Sequence, residues 1–359
     1  VFGAFFYLMA TENLQWQWEN DPSLAREAPA TEREAIEASV RLMLDDGHAH
    51  WVREYWGDDH LDDPNCFYRM LVIGSLTAHH NLTGSKEHLP LLRRLADDLA
   101  ADIDASPSGL VDDYPGQCFP ADVGVAIALI RHADTALGTK RREWARGAMA
   151  RMLANFGGGL PPYMADAASG RVLSSSRGCT NGFFFSMARD IDPGLLDRLY
   201  DEYADRFWQE SHGSAGWREF PRSEATKDGL YFDPDSGPVL LGFGTGATGL
   251  GLGAARRHGD HLRAGMLGNE LIVSSLPLPG GRLLVPSLVA DFEHAPLFPE
   301  IVMMHQLSIA TPARTPKSPV PPVVWIVLGA ELVVGVLSLR IAWGLLRPRT
   351  RRKRAAQAV

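Results

Sequence analysis

The chain has 359 residues, is 45% hydrophobic and carries a formal net charge of −8. Setting aside the six Lys/Arg of RPRTRRKR near its end leaves about −14 for the rest, which excludes a nucleic acid as the expected partner. The only cysteines are Cys66, Cys118 and Cys179, and there is no CxxC, HExxH or Cys/His cluster, so neither a metal site nor a cofactor is expected.

In chain order, VFGAFFYLMA (1–10) reads as the last turns of an apolar helix. It is expected to be the exit end of a truncated N-terminal transmembrane segment; a processed signal peptide is the competing reading. Residues 11–310 form the main domain. Thr31 and Glu34 have the spacing of a capping box, which predicts one helix over 31–56 with Ile36, Val40, Met43 and Leu44 on its apolar face. Further helical periods fall near 65–82, 88–104, 122–137, 140–155, 180–189, 194–209, 239–256, 260–273 and 297–309. Gly84, Gly138 and Gly157 serve as stops and Pro193 as a start. PPYMADAASGRVL (161–173) predicts one hairpin turning at Ser169-Gly170. No other run alternates as a strand does, so the fold class is all-α.

Connections alternate between short ones (82–88, 137–140, 189–194) and long ones (105–121, 157–178, 210–238). A toroid of helical hairpins produces that alternation, with tight turns on one rim and long functional loops on the other; a superhelical solenoid fits the same lengths. The loop GLVDDYPGQCFPADV (109–123) places Asp113 and Asp122 nine residues apart around two prolines, with Tyr114 and Phe119 between them. Two carboxylates in unequal environments can act as proton donor and acceptor. The bland reading is that Asp122 only caps the helix that follows. Cys179, in SSSRGCTNGFFF (174–185), is expected at a helix entry, where the positive end of the dipole favours thiolate; a small buried residue is the alternative. A Cys66–Cys118 disulfide is open in an oxidising compartment. GFGTGATGLGLG (242–253) lacks the GK[ST] of a phosphate loop and predicts close helix packing.

After a Pro-rich linker (311–322), residues 323–346 run VVWIVLGAELVVGVLSLRIAWGLL with only Glu331 and Arg340 ionisable. Those 24 residues would make a helix about 36 Å long, enough to cross a hydrocarbon core of about 30 Å. The basic tail (347–359) that follows belongs on the cytoplasmic side, which places the main domain outside the cytoplasm; a nucleic-acid-binding tail is the weaker alternative. Arg340 can snorkel, whereas Glu331 lies deeper and calls for a second transmembrane helix or a homo-oligomer contact.

From Asn65 to about Leu307 the chain resembles the linalool dehydratase/isomerase family of bacterial terpene alcohol lyases and isomerases. The resemblance rests on the colinear order of NCFYRMLVIGSLTAHHNLTGS (65–85), GLVDDYPGQCFPADV, SGRV, SSRGCTNGFFFSMARDIDPGLLDRLYDEYADRF (175–207), DPDSGPVLLGFGTGATGLGLGAARRHGD and PLFPEIVMMHQLS. It implies an (α/α)6-barrel and an apolar, terpenoid-like small-molecule substrate, here met at a lipid membrane. Asp113 and Asp122 stand where the family has two active-site cysteines, Cys179 where it has a tyrosine, and Leu71 where it has a histidine. The resemblance therefore implies Asp113, Asp122 and Cys179 as catalytic, with Tyr68, Tyr114, Phe119 and Phe183 lining the substrate. Carboxylates in place of thiols keep the capacity for acid/base work on a hydroxyl. Two other functions fit the residues: a carbohydrate-active barrel recruiting Glu219 or Glu224, and a non-catalytic protein of a membrane complex.

Overall fold

A computed structural model describes residues 1–278, 282–284, 298–311 and 318–346. The basic tail and linker residues 312–317 lie outside the described residues. What is described is mostly helical. Helix α1 (Phe2–Asn20) is followed by α2 (Arg33–Met43), α3 (His50–Trp56), α4 (Cys66–Thr83), α5 (Leu89–Ala105), α6 (Pro120–His132), the single turn α7 (Asp134–Leu137) and α8 (Arg142–Ala154). Then come α9 (Gly178–Ala188), α10 (Pro193–Phe207), α11 (Thr245–Arg257), α12 (His261–Ser274), α13 (Phe298–Ser308) and α14 (Pro322–Leu346).

The helices α1, α4, α6, α9, α11 and α13 each pack on the next, and α13 packs back on α1. Their first turns lie at one end. Phe2 of α1 meets Phe67 of α4 (5.6 Å between ring centroids), Phe183 of α9 (6.0 Å) and Phe298 of α13 (5.6 Å). The second layer is α2 on α1 and α4, α5 on α4, α8 on α6, α10 on α9 and α12 on α11. Short turns leave the last residues of α4, α9 and α11, while the long segments 106–119, 155–177 and 208–244 return to the first turns of α6, α9 and α11.

Local signals explain many of the boundaries. The Asn65 side chain accepts from the Tyr68 amide at the start of α4, and Asp192 does the same for Leu195 at the start of α10. Gly84 and Gly138 end their helices in the left-handed region. The small residues of α11 let its neighbours approach closely: a Cβ on Gly251 would sit 2.2 Å from Cδ1 of Trp217, a fully buried ring stacked 4.3 Å from Tyr203. Gly251→Ala is therefore expected to destabilise the protein by about 1–3 kcal/mol, read as a lower thermal midpoint with unchanged helix content.

In the apolar opening, Phe5, Phe6, Leu8 and Met9 are buried in the core, in contact with α4 and α13. Several expectations are corrected. The helix expected over 31–56 is two, because the Asp45 carboxylate takes the His48 amide (2.9 Å) and turns the chain after α2. The capping box does not form; Thr31 sits in a 3-10 turn and its hydroxyl donates to the Ala28 carbonyl (2.6 Å). Residues 208–244 also hold strands the sequence did not announce. β1 (Met164–Ala165) and β2 (Val172–Ser174) form the expected hairpin, with Gly170 at φ +71°. β3 (Trp208–Ser211) pairs with β4 (Ser214–Trp217), and β5 (Leu230–Asp233), β6 (Gly237–Leu240) and β7 (Phe243–Gly244) form a three-stranded sheet. Consequently α11 begins at Thr245, not near 239.

Among the described residues one helix, α14, is long and apolar enough to cross a membrane. From Trp325 to Trp343 its described side chains are exposed, apart from the half-buried Val327, and Glu331 is among the exposed ones.

Candidate functional site

The loop between α5 and α6 folds back on itself at Tyr114–Gln117. The Gln117 carbonyl accepts from the Asp113 amide (2.8 Å), the Gln117 amide donates to the Tyr114 carbonyl (2.8 Å), and Gly116 supplies the positive φ of +75°. This buries Asp113, whose Oδ2 accepts the Phe119 amide at 2.7 Å. Its Oδ1 has the Cys66 thiol as a polar neighbour and no hydrogen bond of ordinary geometry. Asp122 follows in the first turn of α6, but the capping position belongs to Phe119, so Asp122 is not the helix cap. Burial raises both carboxyls. That of Asp122 is pushed up to about 7, with Asp235 adding to the effect. The Asp113 carboxyl is raised well above its usual range by burial and then by Asp122 itself. Two interacting carboxyls in a dry setting cannot both ionise readily, so the pair keeps at least one proton near neutrality.

A second cluster adjoins the first. Arg177 occupies the residue before α9 and sends its guanidinium into three carboxylates: Glu219 (2.6 Å from Nε), Asp233 (2.6 Å from Nη2) and Asp235 (3.2 Å from Nη1). The guanidinium also lies 4.6 Å over the Tyr163 ring and 5.1 Å over that of Phe220. The Tyr163 hydroxyl donates to Asp235 Oδ2 at 2.5 Å, and its ring meets Phe119 at 5.1 Å. Asp235 thus links the clusters: it binds Tyr163 and Arg177 and acts electrostatically on Asp122.

Cys179 sits in the first turn of α9, as expected, but the thiolate expectation is overturned. Burial and then the Glu219 carboxylate raise the thiol well above its ordinary value, and Sγ donates to Glu219 Oε1 at 3.0 Å. The local charge outweighs the helix dipole because Glu219 is in contact and equally buried. Cys66 and Cys118 are free thiols on either side of Asp113, and no disulfide joins them.

The expected lining residues divide. Tyr114 and Phe119 belong to the Asp113 loop: Tyr114 packs on Tyr55 (5.0 Å) and Phe119 on Tyr163. Phe183 is buried against Phe2 and Phe6 at the same end. Tyr68 is committed elsewhere. Its hydroxyl donates to the Met43 carbonyl (2.6 Å), its ring packs on Trp51 and His60, and burial pushes its pKa up to about 12. Leu71 is core. Sequence reasoning missed Tyr163, Arg177, Asp233 and Asp235. The signals were present: an Arg-Gly pair at a helix entry, and two aspartates around Pro234 in DPDSGP.

No family model and no curated protein matches this chain. The reading of the site therefore stands on its geometry. A cavity of about 410 Å³ lies at the other end of the helical body, lined by Glu12, Leu82, Leu129, His132, Met187 and Arg257 among others. None of Asp113, Asp122 or Cys179 reaches it. Its central polar pair is satisfied, with His132 Nε2 2.9 Å from Glu12 Oε2, whereas Asp113 is buried with an unsatisfied oxygen. Strain of that kind marks the carboxylate pair as the better candidate for chemistry. Among the described residues no group of His, Cys, Asp and Glu is arranged to hold a metal.

Proposed function

We propose that this protein is a membrane-anchored lyase or isomerase that dehydrates, hydrates or isomerises an apolar, terpenoid-like alcohol by acid/base catalysis, with Asp113 and Asp122 as the reacting pair. The observation that carries this reading is that pair: two carboxyls raised by burial, Asp113 further by Asp122 and Asp122 further by Asp235, on a proline-fixed loop with Tyr114 and Phe119. In dehydration the protonated carboxyl gives its proton to the departing hydroxyl. The other carboxylate takes a proton from the neighbouring carbon, and the products are water and an alkene. The pair regains its starting charge, since one proton leaves it and one arrives. Cys179 acts through Glu219 as a positioning residue.

The resemblance to linalool dehydratase/isomerase supports the same class, and so does the helix arrangement. The closed succession of α1, α4, α6, α9, α11 and α13, backed by a second layer, is what an (α/α)6-barrel requires. The apolar α14 supports an anchor, and the basic tail supports an extracytoplasmic body. The exposed Glu331 favours a second transmembrane helix, from a partner or another copy, beside the anchor. A carbohydrate-active reading is less well supported: Oε1 of Glu219, the carboxylate it would recruit, is held by Arg177 and Cys179.

Incubating the full chain in lipid nanodiscs with allylic and tertiary terpenoid alcohols, and following alkenes by gas chromatography, tests the proposal. Turnover that Asp122→Asn removes is the expected result. No product from any such alcohol, or full turnover by Asp122→Asn, would overturn it.

A further inference from the structure

The β5–β6 hairpin breaks the usual rule for an antiparallel pair with one face on the core. Its inner face carries Asp233 and Val239, both buried. Its outer face should then be polar. Instead, cross-strand partners Leu230 and Leu240 lie side by side there, 80% and 51% exposed, with Phe232 (49% exposed) opposite Pro238. The next residue, Leu241, is also exposed and holds a left-handed backbone (φ 51°), a conformation that at a solvated turn favours Gly or Asn. A contiguous apolar face of this kind marks a surface that is covered in use.

Its position says by what. The first residues of α14 are tied to the β3–β4 turn: the Val323 amide donates to the Gly213 carbonyl at 2.9 Å. On the same hairpin, four residues before Gly213, the Gln209 side chain donates to the Leu241 carbonyl at 3.0 Å. At roughly 3.3 Å per residue along a strand, Gln209 lies about 13 Å from Gly213, so with the reach of its side chain the exposed leucines begin within about 20 Å of the point where the apolar helix leaves the body. Glu270 of α12 holds that hairpin in place through the Ser214 hydroxyl (2.9 Å) and the Ala215 amide (2.8 Å).

We propose that the outer face of the β5–β6 hairpin rests in the interfacial layer of the bilayer beside the anchor, so that Leu230, Phe232, Leu240 and Leu241 contact lipid. The inner face of the same hairpin carries Asp233, which holds Arg177 at the acid cluster, so the hairpin stands between lipid and the site. The proposal rests on α14 as a span and is independent of the chemistry assigned to Asp113 and Asp122.

The test uses the full chain in phosphatidylcholine vesicles with an environment-sensitive fluorophore on Leu230→Cys and, separately, on Leu240→Cys. Both positions are exposed and the three native thiols are buried, so labelling is selective and folding is undisturbed. A label on Glu143→Cys, exposed on α8, is the reference. The expected result is a blue-shifted emission at 230 and 240, quenched several-fold more strongly by nitroxide-bearing lipid than at 143. Quenching equal to that at 143 overturns the proposal. A blue shift without lipid quenching also overturns it, because the face would then be covered by protein, such as a second copy.

Discussion

Arg177→Met should cost about 3–5 kcal/mol of stability at pH 8, enough to unfold much of the body at moderate temperature. Methionine keeps contact with the Tyr163 and Phe220 rings but removes the charge that Glu219, Asp233 and Asp235 share. Glu219 suffers most, since it is fully buried and its pKa is already raised by burial despite Arg177. Without the guanidinium it rises further. A carboxyl raised on folding contributes stability that is fully present below its unfolded value and is lost as pH rises through its folded value. The variant should therefore recover on acidification, with its thermal midpoint closer to that of the parent at pH 5 than at pH 8. Adding Glu219→Gln should restore part of the loss at pH 8, because the uncompensated charge goes with it. Arg177→Lys should recover less than a conservative change suggests, since a single ammonium cannot bridge three carboxylates. A midpoint for Arg177→Met equal to the parent's at pH 8 would show that the cluster is solvated and not structural.

That cluster also shows where sequence reading stops. The helices were legible because each repeats every 3.6 residues and because Gly84, Gly138 and Pro193 mark ends by mechanisms that act within four residues. The carboxylate pair was legible because Asp113 and Asp122 flank one short loop. Arg177 meets Glu219 and Asp235 across separations of 42 and 58 residues, and nothing local announces such a meeting. The strands that flank those acids, β4, β5 and β6, are four residues long, too short for a period to show. The direction of the Cys179 shift failed for the same reason: the dipole was local and visible, while the burial that raises the thiol is set by the whole fold and the Glu219 carboxylate came from 40 residues away. The packing of the opening helix was not legible because a core helix and a membrane span share one composition, and its contacts with α4 and α13 come from far along the chain.

Asp122→Asn should separate activity from stability. If Asp113 and Asp122 pass one proton between them, the amide removes the exchange, and turnover should fall by about 10²–10⁴ with a smaller change in KM. Asp113→Asn should fall alike, and the double variant should be little worse than either, since the two act as one unit. In the parent, turnover needs an ionised Asp122 beside a protonated Asp113, so it should rise as pH rises through about 7, where Asp122 gives up its proton. Stability should move the other way. The raised Asp122 carboxyl contributes stability below the unfolded carboxylate value that disappears as pH rises through about 7. Asparagine never ionises, so the variant should match the parent near pH 4 and exceed it at pH 8. Thermal unfolding of both proteins across that range, beside alcohol turnover, measures the two effects together. A variant that is inactive and no more stable at pH 8 would mean that Asp122 is ionised and solvated in the parent. A variant that is more stable and fully active would mean that the pair is strained for some purpose other than catalysis. Loss of turnover with gain of stability is the signature of a carboxylate kept in an unfavourable place because the reaction needs it there.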